Sequence, residues 1–324
     1  MQTKNPPNGV SVGITVHNEE KMIPKTLRSI LNNTLWKSVP SDQRELLVCA
    51  NNCTDGTVAE VKKLQKTHKE IRLIEEKKGG NANAKNILTA AMSPRSDAFF
   101  FFDGDVLVKR TAMERLWDTL RTNPKIDLVG AEIVPTGAYF PAEKRDPFVN
   151  FSTASYRERK TKPSHRVYGG GYAIRPGIAK KIKFRTDLQG GIDYYLSRMV
   201  GFDRVCRVPN AHVIYREITD RKDSLKRGQR YGYAEEQFKR IFPREQPYFG
   251  NTYRMSLKDS LRLTKGRPWS ERKAVLLHLL SSKIGVIKGK YKFYFGKKPG
   301  ASNANPAWEK TVSDRRFESI AKRK

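Results

Sequence analysis

The run Phe99-Phe100-Phe101-Phe102, followed at once by Asp103-Gly104-Asp105-Val106, constrains the fold more than any other stretch of this chain. Four consecutive phenylalanines on a loop would expose a large apolar patch, so they predict a buried strand. The strand then delivers two carboxylates, two residues apart, to its tip. Mg²⁺ and Mn²⁺ prefer such hard oxygen ligands, and Mg²⁺ is commonly held by one or two carboxylates together with substrate phosphates. An Asp-x-Asp pair alone is common on solvated loops, and it is the apolar run before it that points to nucleotide chemistry.

The rest of the first half repeats one unit. Val10 to Val16 reads as a buried strand, followed by His17-Asn18-Glu19-Glu20 and a helix from Ile23 to Asn32. Glu45 to Ala50 is a second strand, Asn51 to Gly56 a polar turn, and Thr57 to Lys69 a helix with Val58, Val61 and Leu64 at helical spacing. Ile71 to Ile74, the Gly79-Gly80 turn and a helix from Ala82 to Met92 complete a third unit. Strands alternating with helices at this rhythm predict an α/β fold, a mostly parallel sheet with helices on both faces, whose ligands bind beyond the carboxyl ends of the strands. The polar tips all fall at that edge.

Beyond Asp105 the pattern loosens. A helix over Thr111 to Arg121 and a strand over Asp127 to Val134 are expected, and the stretch up to Lys162 carries no assignable pattern. Gly169-Gly170-Gly171 before Tyr172-Ala173-Ile174 reads as a packed site that something approaches closely. From Trp269 the chain is basic and helical, with apolar Ala274 to Leu277, Leu279 and Leu280 near Lys283, Lys288, Lys290 and Lys292. Such a helix either packs on its own domain or lies at a membrane interface. Three parts follow: residues 1–235 as the main domain (10–110 and 111–235), 236–296 as a basic helical extension, and 297–324 as a Lys-, Asn- and Pro-rich tail.

Charge is divided unevenly between the halves. Residues 1–150 hold 22 Lys+Arg against 18 Asp+Glu, whereas residues 151–324 hold 41 against 15. An acidic partner at the second half is one reading and a solvated basic face the other. Cys49, Cys53 and Cys206 cannot all pair and lack zinc-ligand spacing, which suggests a reducing compartment. No stretch reads as a signal peptide or reaches the ~20 apolar residues that span a bilayer, so a cytoplasmic protein is expected, peripheral on the inner face of the membrane if its basic part meets lipid.

In order along the chain, the strand tips resemble family 2 glycosyltransferases of the GT-A fold, over roughly residues 10 to 235. Thr15-Val16-His17-Asn18-Glu19 is similar to that family's first tip, Ala50 to Thr57 to its second, and Gly80-Asn81-Ala82-Asn83-Ala84-Lys85-Asn86 to its third; Asp103-Gly104-Asp105 is similar to its metal-binding Asp-x-Asp. Two departures stand out. Ala50 and Asn51 occupy the positions of a base- or ribose-contacting Asp, and the family's Glu-Asp-x-x-Leu is Ile192-Asp193-Tyr194-Tyr195-Leu196.

The resemblance implies a metal-dependent, inverting transfer of a sugar from a nucleotide-diphosphate donor, with Mn²⁺ or Mg²⁺ as cofactor; an acceptor that is lipid-linked or belongs to the cell envelope is expected from the basic charge of the second half alone. Asp193 would be the general base, with a helix-capping role as the structural alternative. Asp105 would bind the metal with Asp103, which also lies near the ribose. Thr15, His17, Glu19, Asn51 and Lys85 would line the nucleotide pocket, Gly170, Gly171 and Tyr172 the acceptor side, and Arg227 and Arg230 the diphosphate. His212 is expected to be a buried, hydrogen-bonded histidine. Two other readings compete. A sugar-nucleotide nucleotidyltransferase would need a Gly-rich loop where His17-Asn18-Glu19-Glu20 stands. A nucleic-acid-binding protein would use the basic half, but Glu19, Asp103, Asp105 and Asp193 would repel phosphate, so no nucleic acid is expected as a partner.

Overall fold

The computed structural model describes residues 5–139, 147–160, 165–217, 220–243 and 257–296. Eight strands form one sheet in the order β3-β2-β1-β4-β7-β6-β8-β5. They are β1 (Val10–Val16), β2 (Arg44–Asn51), β3 (Ile71–Glu76), β4 (Ala98–Asp103), β5 (Leu107–Val108), β6 (Leu128–Pro135), β7 (Gly171–Ile174) and β8 (Val205–Tyr215). β3, β2, β1 and β4 run parallel; β7 is antiparallel to β4 and β6, and β5 to β8, while β6 and β8 are parallel. The sheet is therefore mixed and mostly parallel, as the α/β reading anticipates.

The phenylalanine run shows why that sheet needs two helical layers. Phe100 and Phe102 join a core on one face with α1 (Ile23–Leu31), α3 (Thr57–Gln65) and α5 (Ala112–Thr122). Phe99 and Phe101 join a second core on the other face, with α4 (Asn81–Ala91), α8 (Ile192–Val200) and α9 (Arg221–Ile241). Successive strand side chains point to opposite faces, so an unbroken apolar run is what a doubly covered strand requires.

The remaining helices are α2 (Thr34–Ser38), α6 (Pro147–Lys160), α7 (Pro176–Ala179), α10 (Leu257–Leu263) and α11 (Trp269–Phe295). Asn33 caps α2 by accepting from the Leu35 N–H at 3.3 Å. α6 fills part of the stretch without sequence pattern, and α11 lies along α9. Residues 297–324, read from sequence as a tail, lie outside the described residues. No helix among the described residues is long and apolar enough to cross a membrane.

Candidate active site

The first two strand tips are bound to each other. His17 Nδ1 lies 2.7 Å from the Asn51 carbonyl, Asn18 accepts from the Thr54 N–H at 2.7 Å, and the Glu19 N–H donates to Thr57 Oγ1 at 2.8 Å. Glu20 accepts from the Gly56 N–H at 3.0 Å. Asn18 and Asn52 take positive φ of 54° and 55°, a conformation that Asn tolerates better than most side chains. The loops therefore have one shape, set by short polar side chains, and they bring Thr15, His17, Glu19 and Asn51 to one edge of the sheet.

The Asp103-Gly104-Asp105 turn is held against β1. The Gly104 N–H donates to the Thr15 carbonyl at 2.9 Å, and the Gly104 carbonyl accepts from Thr26 Oγ1 at 2.9 Å. A Cβ on residue 104 would stand 2.6 Å from Val16 Cβ, so only glycine lets the turn pass this close. Asp103 shares a strand face with Phe99 and Phe101, and Thr15 Oγ1 lies 3.5 Å from its carboxylate.

That face carries the charged centre of the molecule. Lys85, one turn into α4, is 2% exposed and runs its stem along two rings, with Nζ 5.6 Å from the centroid of Phe101 and 5.2 Å from that of Tyr172. Those rings stack at 5.1 Å as cross-strand neighbours. Burial pushes the Lys85 amine down, while Asp103 and Asp193 oppose the shift. Asp103 is raised to about 7, first by desolvation and further by Asp105 and Asp193, with Lys85 and Arg230 acting against it. Desolvation also raises Asp105, opposed by Arg216 and Arg230. Asp193 is raised by desolvation, countered by N–H groups of the first turn of α8 and by Arg166 and Lys85. All three acids keep some solvent contact, so they sit on the wall of a cleft rather than inside the core.

Lys85 Nζ, the Tyr172 hydroxyl and Asn51 Oδ1 are buried without a hydrogen-bond partner. Buried polar atoms are normally satisfied, so Lys85 Nζ and the Tyr172 hydroxyl, both beside Asp103 and Asp193, mark a place where a polar ligand completes the bonding.

Thr15, Lys85, Asp103, Asp105, Tyr172, Asp193 and Arg230 are thus brought together. Asp193 stands in the first turn of α8 and faces the cleft; it is not the capping residue, since the N-cap is Gly191 and α8 has no side-chain cap bond. Gly170 and Gly171 are packing positions: a Cβ would come within 3.1 Å of Ile133 and 2.9 Å of the Phe102 ring, respectively. A Cβ on Gly169 would stand 3.7 Å from Asp103 Oδ2. Arg227 lies one turn before Arg230 on α9 and is half-buried. His212 is hydrogen-bonded, with Nε2 3.1 Å from Glu132, but its side chain is 26% exposed rather than buried.

Two cations went unread in the sequence. Arg166 faces Asp193, and Arg216 faces Asp105. Arg216 directly follows the end of β8, so the rule that placed the other tips would have found it had that strand been recognised.

The chemistry of the donor set fits a hard divalent cation. Asp103 and Asp105 offer only carboxylate oxygens, and neighbouring cations compensate them only in part. Among the described residues no group of three or more His, Cys, Asp or Glu could hold a metal alone. Ligands from a bound phosphate and from water would be needed to complete the shell.

The family model for glycosyl transferase family 2 matches residues 11–182, more than half of the chain and the span that contains the first three tips, the Asp-x-Asp and Tyr172. The chain belongs to glycosyl transferase family 2. A solved structure shares its fold. The mannosyltransferase PcManGT from Pyrobaculum calidifontis, solved in complex with GDP-Man and Mn²⁺, is 17% identical, with 91% of this chain and 89% of that one covered at a TM-score of 0.59. Residues 1–349 of S. aureus TarS give 13% identity, 89% and 92% coverage and a TM-score of 0.49. No curated protein matches the chain in sequence. As a family 2 member with a GT-A fold, the chain is a glycosyltransferase.

Proposed function

We propose that this family 2 enzyme transfers its sugar with inversion to a hydroxyl of a lipid-linked acceptor, with Asp193 as general base. The supporting observation is that Asp193 and Asp103 face the same buried cation, Lys85, although they lie 90 positions apart on different elements. A raised carboxylate is the better proton acceptor near neutral pH, which suits a group that takes the acceptor proton as the oxygen attacks the anomeric carbon. Lys85 holds the acids in one cleft without an ion-pair partner of its own at hydrogen-bond distance. Arg230 and Arg216 lie beside the Asp-x-Asp, where charge accumulates on a departing diphosphate, and cations fixed there in advance stabilise it.

Asp105 and Asp103 would hold Mn²⁺ or Mg²⁺, as the complex of a protein of the same fold with Mn²⁺ and GDP-Man encourages. The ion would neutralise the diphosphate as the bond to the sugar breaks. We assign the donor to residues 10–110 and the acceptor to residues 111–235. The lipid-linked acceptor rests on the excess of cations in the second half, which suits an anionic membrane surface on the cytoplasmic side.

The experiment is a panel of UDP-, GDP- and dTDP-sugars, with and without Mn²⁺, read by thermal shift and slow donor hydrolysis in wild type and Asp105→Ala. A metal-dependent shift with one donor, lost in the variant, is expected and names the nucleotide. A shift that is insensitive to Mn²⁺ and to Asp105→Ala overturns the metal reading.

A further inference from the structure

Helix α11 exposes large apolar side chains that a helix packed only on its own domain would bury. The side turned toward α9 is built from small and polar residues, the buried His278, Ser282, Gly285 and Gly289, while the buried Val275 packs with Phe151 of α6. Contact there is between backbones, since a Cβ on Gly289 would stand 2.0 Å from the Gln229 carbonyl oxygen and one on Gly232 2.1 Å from that of Val286. His278 Nδ1 lies 3.0 Å from Ser224 Oγ, and Tyr294 donates to Glu236 at 2.6 Å. The helix is therefore seated firmly on α9, with no room to roll.

The opposite side is apolar and faces outward. Leu280, Ile284, Ile287, Tyr291 and Phe295 follow one another at i, i+4, i+7, i+11 and i+15, a single stripe, and are 39% to 74% exposed. Trp269 extends it at 65%. Among the described residues, seven of the eight exposed large apolar side chains lie on this one helix, so the apolar surface is concentrated and not scattered. Exposed Lys283 and Lys288 border the stripe on either side, with Lys273 and Lys292 close by, and the only acid of α11 is Glu271 in its first turn. Lys290 is turned away, toward Glu235 and Glu236 of α9.

We infer that this face of α11 docks the enzyme in the interface of an anionic lipid bilayer, with the helix lying in the membrane plane. An apolar stripe with aromatic residues, bordered by lysines and free of acids along its length, matches the acyl boundary below a layer of negative headgroups. An acidic protein surface would satisfy the lysines but would leave five contiguous large apolar residues facing polar groups. The inference deepens the proposed lipid-linked acceptor and names the surface that brings the enzyme to it. Because α11 sits backbone to backbone on α9, and α9 carries Arg230 into the cleft, the docked face is fixed relative to the site.

The test is flotation of the full chain with vesicles of phosphatidylcholine alone and with about one-third phosphatidylglycerol. Wild type is expected to float with the anionic vesicles. Ile287→Asn/Tyr291→Ser, both at exposed positions, should lower the bound fraction at least about tenfold. Lys288→Gln should lower it roughly fivefold, an effect that disappears at high salt. Flotation that is equal for wild type and the Ile287/Tyr291 variant overturns the proposal. So does a wild type that stays unbound but forms a dimer that the same variant abolishes, which would assign the face to a second copy of the chain. The donor-induced thermal shift keeps the two readings separate. It should be unchanged in the α11 variants, and its loss in Asp105→Ala should leave flotation intact.

Discussion

The two halves of the chain satisfy their polar groups in different ways. In the first half, with 22 basic residues against 18 acidic ones, the strand tips bind each other: Asn18 to Thr54, Glu20 to the Gly56 N–H, and Asp55 to Thr57. In the second half, with 41 against 15, Arg216 and Arg230 reach across to the acids of the first half, and Arg166 to Asp193. The first two tips form a closed frame, while the second half brings to the acids at the end of β4 charge that is only partly compensated and is open to a ligand. Changes in the frame should therefore be felt as stability, and changes at the seam as chemistry.

The sharpest way to break this comparison is Asp193→Asn. Removing a general base is expected to lower turnover by about 10²- to 10⁴-fold while the donor-induced thermal shift stays at the wild-type value. Loss of the shift in proportion to turnover would move Asp193 to the frame. Arg230→Gln comes next. With one cation gone beside the Asp-x-Asp, nucleoside diphosphate should bind roughly tenfold to a hundredfold more weakly by calorimetry, from the ~1.5–3 kcal/mol of a charge-assisted contact, and melting without ligand should hardly move.

The same division governs what could be read in the sequence. The frame was legible because its strands are mostly apolar runs ending in polar tips, and their alternation with helices implied cover on both faces. β8 was not legible. Its pairing with β6 shifts register between Gly130 and Glu132, and Pro209 with Asn210, the latter at φ 62°, interrupts its apolar pattern. Missing β8 hid Arg216, and Arg166 follows a stretch without pattern. β5 spans two residues and α2 five, too short for any period to show. The apolar face of α11 was visible as composition, but which side it turned depended on Gly228, Gly232, Gly285 and Gly289, whose use as a helix contact appears only once α9 and α11 are side by side.

A subtler probe of the seam is pH. The folded chain holds the Asp103 proton up to about 7, whereas a carboxyl with the ordinary value of 3.8 has released it long before. The folded state thus binds the proton more tightly, and the stability this gives is present in acid and lost as pH rises through about 7. Asp103→Asn removes the dependence. Relative to wild type without metal, the variant should gain on the order of 2 kcal/mol, at least about 4 °C in melting temperature, between pH 4 and pH 8. Adding Mn²⁺ should cancel that difference if Asp103 is a ligand. A constant difference across the range would show that the cleft does not strip water from this carboxylate.

The smallest effect belongs to the frame, and it needs two variants to interpret. Asn18 bridges both atoms of Thr54, accepting from its N–H at 2.7 Å and donating to its hydroxyl at 3.1 Å, from a backbone at φ 54°. Asn18→Ala loses both bonds and keeps a Cβ on a left-handed backbone without the polar side chain that makes it tolerable, while Asn18→Gly loses the same bonds and removes that strain. The alanine variant should melt about 1–2 °C lower, from ~1 kcal/mol, and the glycine variant should recover part of it, because the site is partly exposed and water replaces the lost bonds. Donor binding should fall little in either. If Asn18→Gly instead weakened donor binding as much as Arg230→Gln does, the first two tips would belong to the ligand's own contacts, and the boundary between frame and seam would lie deeper in the first half than the polar network places it.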